Sequence, residues 1–163
     1  MSVQTQLPRR LYKDDVELSI VGLGGIVVCG VPQDDANQIV AEAFERGVNY
    51  YDVAPSYFDG EAEIKLGNAL KPYRSRVFLA CKTEKRDAAG AQAALDESLR
   101  RAHTDHVDLY QFHAVTTMQE LEEILAPGGA GEVFLKAKQA GKARFLGASC
   151  HSVEAAIALM DRF

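Results

Sequence analysis

A chain of 163 residues that is 47% hydrophobic and 25% charged carries enough apolar mass for one domain with a real core. Its net charge of -5 and its pI near 5.4 leave no basic stripe to neutralise phosphates. That argues against nucleic acid or an acidic membrane surface as a partner and points to small-molecule ligands. No apolar segment approaches the length of a membrane span, and residues 1–15 are polar, so a cytoplasmic location is the default expectation.

The first element in chain order is a short hairpin over residues 10–18, turning at Asp14-Asp15; a lone hairpin is only marginally stable, so it must pack on something. Strand candidates then begin near Ser19, Val48, Val77, Val107 and Arg144. Their spacing of about 30 residues is that of a strand plus a crossover helix. Between the first two, Asp34 and Asp35 can cap a helix that Gly47 ends. Residues 61–70 place Ile64, Leu66, Ala69 and Leu70 on roughly one helical face, and Pro72 stops them. Residues 88–103 carry Ala91, Ala94, Leu95, Ser98, Leu99 and Ala102 at helical spacing. The fourth connection is longer, and Pro127-Gly128-Gly129 breaks it into helices over 118–125 and 130–139. A last helix starts at Ser152 and runs to Phe163.

Five βα units in strict alternation mean a parallel α/β fold. The expectation is a single partial domain over residues 1–163, of parallel (β/α) barrel type with an N-terminal β-hairpin. An eight-unit barrel takes about 250 residues. The fold is therefore expected to be truncated after its fifth unit, with strand edges open to self-association.

Three apolar runs end in one ionisable residue each: 48–52 in Asp52, 77–82 in Lys82 and 107–113 in His113, with Tyr57 a few residues beyond the first. In a parallel barrel the carboxyl ends of the strands share one face and carry the chemistry. A free tyrosine, with a pKa of about 10, is a poor acid at neutral pH. A neighbouring ammonium lowers it, and a carboxylate keeps that ammonium charged and oriented. Asp52 and Lys82 fit these supporting parts, while His113 can donate a hydrogen bond to a substrate oxygen. Such a set suits reduction of a carbonyl, in which an oxyanion forms and takes up a proton.

Rival motifs are weaker. Gly22-Leu23-Gly24-Gly25-Ile26-Val27 starts like a dinucleotide fingerprint but has valine at the third glycine position. Cys29, Cys81 and Cys150 are odd in number and far apart, which suggests neither a disulfide framework nor a thiolate metal site. His103 and His106 near a helix end lack the partners of a metal centre. Cys150-His151 is a poor nucleophile and base pair, since adjacent strand residues face opposite ways. Glu120, Glu122 and Glu123 read as a solvated helix face.

The segments Tyr51-Asp52-Val53-Ala54-Pro55-Ser56-Tyr57, Ala80-Cys81-Lys82-Thr83, Asp108-Leu109-Tyr110-Gln111-Phe112-His113 and Gly147-Ala148-Ser149 resemble the aldo-keto reductase superfamily in order and spacing. The resemblance covers essentially the full chain and the first five βα units of that family's (β/α)8 TIM barrel. It implies an NADPH-dependent oxidoreductase, with NADH as the alternative cofactor, reducing a small aldehyde or ketone. Tyr57 is then the general acid, Lys82 and Asp52 tune it, and His113 orients the substrate. The resemblance also implies that Ser149 holds the nicotinamide carboxamide, and that Gly25, Ile26 and Asp52 lie beside the cofactor. Cys150 stands where the family usually has asparagine, which alters one of those contacts. The alternative is a non-catalytic barrel fragment that cannot bind cofactor unaided.

Overall fold

The structure, a computed structural model, describes residues 7–163. Strands β1 (Arg9–Lys13) and β2 (Val16–Ser19) form the antiparallel hairpin. Its turn passes through Asp14 at φ 53°, a left-handed conformation that aspartate tolerates better than most residues. The hairpin does pack: Tyr12 meets Phe78 edge-on at 5.6 Å between ring centroids.

Ser19 ends this hairpin instead of opening the first parallel strand. Its N–H donates to the side chain of Asn49 (2.7 Å), and its hydroxyl accepts from the Asn49 N–H (3.1 Å). With its backbone donor used in this way, the parallel sheet starts later, at β3 (Leu23–Gly24). Helix α1 (Gln33–Glu45) follows Pro32, and Asp34 and Asp35 lie inside its first turn instead of capping it with their side chains. There they still meet the positive end of the helix dipole. Gly47, at φ 97°, ends the helix as expected.

The remaining elements are β4 (Tyr50–Asp52), α2 (Glu61–Leu70), β5 (Phe78–Thr83), α3 (Ala88–Arg101), β6 (Val107–Val115), α4 (Met118–Leu125), α5 (Ala130–Gln139), β7 (Ala143–Cys150) and α6 (Val153–Arg162). The strands of the main sheet follow one another in chain order, β3-β4-β5-β6-β7. β3 with β4, β4 with β5, and β6 with β7 run parallel. Every residue of β5 is buried, as are the first four of β6, where the buried Asp108 is paired with Arg144 at 2.8 Å.

Two compact units divide the fold. The first runs to Ala80 and takes in Arg101–His103; the second comprises Cys81–Arg100 and Thr104–Phe163. In the first, α2 buries Ala62, Leu66, Ala69 and Leu70, but Ile64 is exposed and the buried Glu63 takes a place on the inner face. In the second, Phe134 stacks on Phe112 at 3.8 Å between centroids and lies 4.4 Å from Tyr110. Helix α6 starts with Ser152 as its cap, the hydroxyl accepting from the Ala155 N–H at 3.2 Å. Among the described residues, no helix is long and apolar enough to cross a membrane.

Candidate active site

Asp52 is the last residue of β4, opposite Gly24 of β3. Two residues earlier on the same face of the strand, the Tyr50 hydroxyl donates to Asp52 Oδ2 at 3.3 Å. Burial first, and then that carboxylate, hold the Tyr50 phenol far above its ordinary range. Tyr51 is pushed up to about 12, mainly by burial. Both phenols therefore stay neutral and internally occupied. Tyr57 is placed differently. It opens a 3-10 turn, Tyr57–Gly60, with its N–H on the Ala54 carbonyl at 3.1 Å, and its side chain is only partly buried.

Gly25 and Ile26 begin another 3-10 turn, Gly25–Val28, directly after β3. Gly25 is packed so closely that a Cβ there would lie 3.0 Å from Val53 Cγ2 and 3.2 Å from the Asp52 carbonyl oxygen. Ile26 is 49% exposed. The loop beyond is fastened to α2: the Gly30 N–H donates to Glu61 at 2.9 Å, and Lys65 bonds both Glu61 and the Val31 carbonyl. A cavity of about 670 Å³ in this unit is lined by residues that include Leu7, Val21, Leu23, Val27 and Val48, all of them apolar.

In the second unit, Lys82 lies near the end of β5 with 6% exposure. His113 stands two residues before the end of β6, its side chain 15% exposed and its Nδ1 3.3 Å from Glu84 Oε1. Ser149 is the penultimate residue of β7, and its Oγ accepts from the Ala114 N–H at 2.9 Å. His113 and Ser149 are thus brought to the same end of the β6-β7 pair. Burial raises the thiol of Cys150, as it does that of Cys29, so neither is poised as a thiolate.

Glu120 is not the solvated acid that its helix suggests. Its carboxylate accepts from the Thr116 hydroxyl and N–H, both at 2.7 Å, and from the Thr117 N–H at 3.2 Å, and it pairs with Arg86 at 3.0 Å. With Thr117 it forms a capping box on α4. Glu122 and Glu123 do lie on the exposed face, the former against Arg162 at 2.9 Å. The Thr116 hydroxyl and N–H, followed by Arg86, lower the Glu120 pKa to about 2. A carboxyl lowered on folding stabilises the fold above its unfolded pKa, and that contribution disappears as pH falls through the folded value. The difference in melting temperature between the unaltered chain and Glu120→Gln should therefore close as pH drops from about 4.5 to about 2. Thermal melts across that window check it; a difference independent of pH would show that the carboxylate's charge carries none of the stability.

Four participants were not foreseen: Tyr50, Glu84, Arg86 and Glu120. The two-residue strand period links Tyr50 to Asp52, and the pattern Thr117-Met118-Gln119-Glu120 is a capping-box signature. Glu84 and Arg86 carry no comparable local signal.

The sequence profile of the Aldo/keto reductase family matches residues 21–161. The chain belongs to the aldo/keto reductase family. It is 33% identical over 153 residues to the uncharacterized oxidoreductase YqkF of Bacillus subtilis (strain 168), a match covering 86% of this chain and 48% of that protein. Its structure is similar to the holo form of aldo-keto reductase AKR11C1 from Bacillus halodurans, with a TM-score of 0.83, 31% identity, and coverage of 96% of this chain and 55% of the other. It is also similar to an aldo-keto reductase from Klebsiella pneumoniae in complex with NADPH, with a TM-score of 0.73, 28% identity, and coverage of 90% and 51%. The chain thus spans about half the length of the curated relatives it matches. As an aldo/keto reductase it has the parallel α/β architecture of the TIM-barrel type, with five of its strands present. Among the described residues, no group of three or more His, Cys, Asp and Glu could hold a metal ion.

Ile26 offers an exposed apolar side chain directly after β3. Ser149 keeps its hydroxyl proton for donation, since its bond with Ala114 uses the oxygen as acceptor.

Proposed function

We propose that this aldo/keto reductase reduces an aldehyde or ketone to the alcohol with NADPH, and that Tyr57 is the proton donor. The observation that carries the reading is positional. Asp52, Lys82, His113 and Ser149 stand at or near the carboxyl ends of consecutive parallel strands, and Tyr57 opens the turn after the first of these. That is the catalytic end of such sheets.

In this scheme Ser149 and Ile26 hold the nicotinamide, which when bound supplies the hydride. Tyr57 delivers a proton to the oxygen of the carbonyl as negative charge develops there. Lys82 and Asp52, at the ends of their strands, are the supporting polar residues that the family resemblance assigns to this proton transfer. His113 fixes the carbonyl oxygen by a hydrogen bond. Tyr50, held neutral, steadies Asp52 from one side. We place its work in the cytoplasm, where Cys29, Cys81 and Cys150 would stay reduced.

The test is a fluorescence titration of the chain with NADPH, followed by carbonyl-dependent oxidation of the bound nucleotide. Saturable binding in the micromolar range with turnover is the expected result. A folded chain that binds no NADPH would instead be a non-catalytic part of a reductase fold, consistent with its spanning 48% of its relative YqkF.

A further inference from the structure

We propose that Arg86 is a positioning residue for His113, acting through a strained bulge at the end of β6. The proposal rests on the role given to His113 above and adds to it a residue that touches neither substrate nor cofactor.

β6 does not run straight to its end. The register with β7 shifts between Phe112 and Val115, and Ala114 sits at φ 53°. An alanine in the left-handed region is unfavourable in itself and persists only where its surroundings over-determine it. Four hydrogen bonds do so here. Arg86 Nη2 donates to the carbonyl oxygens of both His113 (2.8 Å) and Ala114 (3.2 Å). The Ala114 N–H donates to Ser149 Oγ at 2.9 Å. The His151 N–H donates to the Val115 carbonyl at 2.9 Å. A bulge changes the direction in which a strand side chain leaves the sheet. The pose of the His113 imidazole therefore follows from the peptide groups that Arg86 grips.

Arg86 is itself immobilised. Its side chain is 14% exposed, and its guanidinium also binds Glu120, whose other oxygen is held by Thr116 and Thr117. Its backbone carbonyl accepts from the Ala130 N–H at 2.7 Å, and the next residues are tied to the Gly128-Gly129 break, where the Ala88 N–H donates to the Gly128 carbonyl at 2.8 Å. The interruption of the fourth connection thus has a purpose: it anchors the arginine. Lysine could not reproduce the set, because it lacks the second nitrogen, Nε, that bonds Glu120 at 3.3 Å beside the contacts of Nη2. Glu84, from the same loop, faces the ring itself at Nδ1. One short stretch after β5 therefore meets His113 twice, through hydrogen bonds to its backbone and through the approach of Glu84 to its ring.

The test is long-range 1H–15N correlation of the full chain labelled in its histidine rings, with His103 and His106 as internal references. In the unaltered chain, His113 should show one tautomer with narrow lines. In Arg86→Gln its ring resonances should shift or broaden while the references stay in place, and Arg86→Lys should not restore them. Turnover, where measured, should fall by about 100-fold, the scale of a misplaced catalytic contact. His113 resonances in Arg86→Gln that coincide with those of the unaltered chain would overturn the proposal. So would tautomer averaging in the unaltered chain, a result that holds even if the variants do not fold. A fixed ring in a chain without reductase activity would count against the proposed function alone. An active chain whose ring ignores Arg86 would count against the positioning role alone.

Discussion

Replacing Tyr57 with phenylalanine is expected to lower carbonyl-dependent NADPH oxidation by about 100-fold to 10,000-fold, the usual worth of a positioned proton donor. That corresponds to about 3–5 kcal/mol of transition-state stabilisation. The substitution removes one oxygen and keeps the ring, so NADPH titration and thermal stability should stay close to those of the unaltered chain. The neighbouring tyrosines sharpen the prediction. Tyr51 is fully buried, and burial raises its phenol to about 12. Tyr50 has already committed its hydroxyl to Asp52 and is pushed up still further. Neither gives up a proton easily, whereas Tyr57 lies on a turn with its side chain partly open. Tyr50→Phe should therefore leave most of the turnover intact. Steady-state kinetics of the two variants side by side decide the matter: full activity in Tyr57→Phe would move the proton donor elsewhere.

Much of the fold was legible in the sequence because it repeats a local unit. The helices over 61–70, 118–125 and 130–139 have the boundaries that Pro72 and Pro127-Gly128-Gly129 suggest. Proline and glycine act on their own backbone, so their effect needs no knowledge of distant residues. β5 and β6 announced themselves by largely apolar runs, and with them the strand ends near which Lys82 and His113 stand. What escaped was long-range. The start of the parallel sheet moved from Ser19 to Leu23 because a side chain 30 residues away takes the Ser19 N–H. Ile64 is exposed although it is apolar, and Glu63 is buried although it is charged. The bulge at Ala114 depends on Arg86, 28 residues earlier in the chain. Its local sequence, Phe112-His113-Ala114-Val115, has no glycine to signal a positive φ.

The buried Glu63 leads to the largest expected loss of stability. Its side chain is 0% exposed, and Arg101 Nη1 approaches Glu63 Oε2 at 3.1 Å across 38 residues of sequence. A carboxylate taken fully out of water needs an opposite charge and hydrogen bonds to offset the hydration it has lost. Arg101→Met keeps much of the side-chain volume and removes the cation, so it should cost about 3–5 kcal/mol. For a domain of this size that is a fall of roughly 6–20 °C in melting temperature. Glu63→Leu alone should cost less, because the Arg101 side chain is 23% exposed and its guanidinium can still reach water. The double variant should recover most of the Arg101→Met loss, since apolar replacement of both partners leaves no buried charge behind. Denaturant titrations of the two single variants and the double variant complete the cycle. A coupling energy below about 0.5 kcal/mol, the level at which independent sites simply add, would mean that groups other than Arg101 neutralise Glu63.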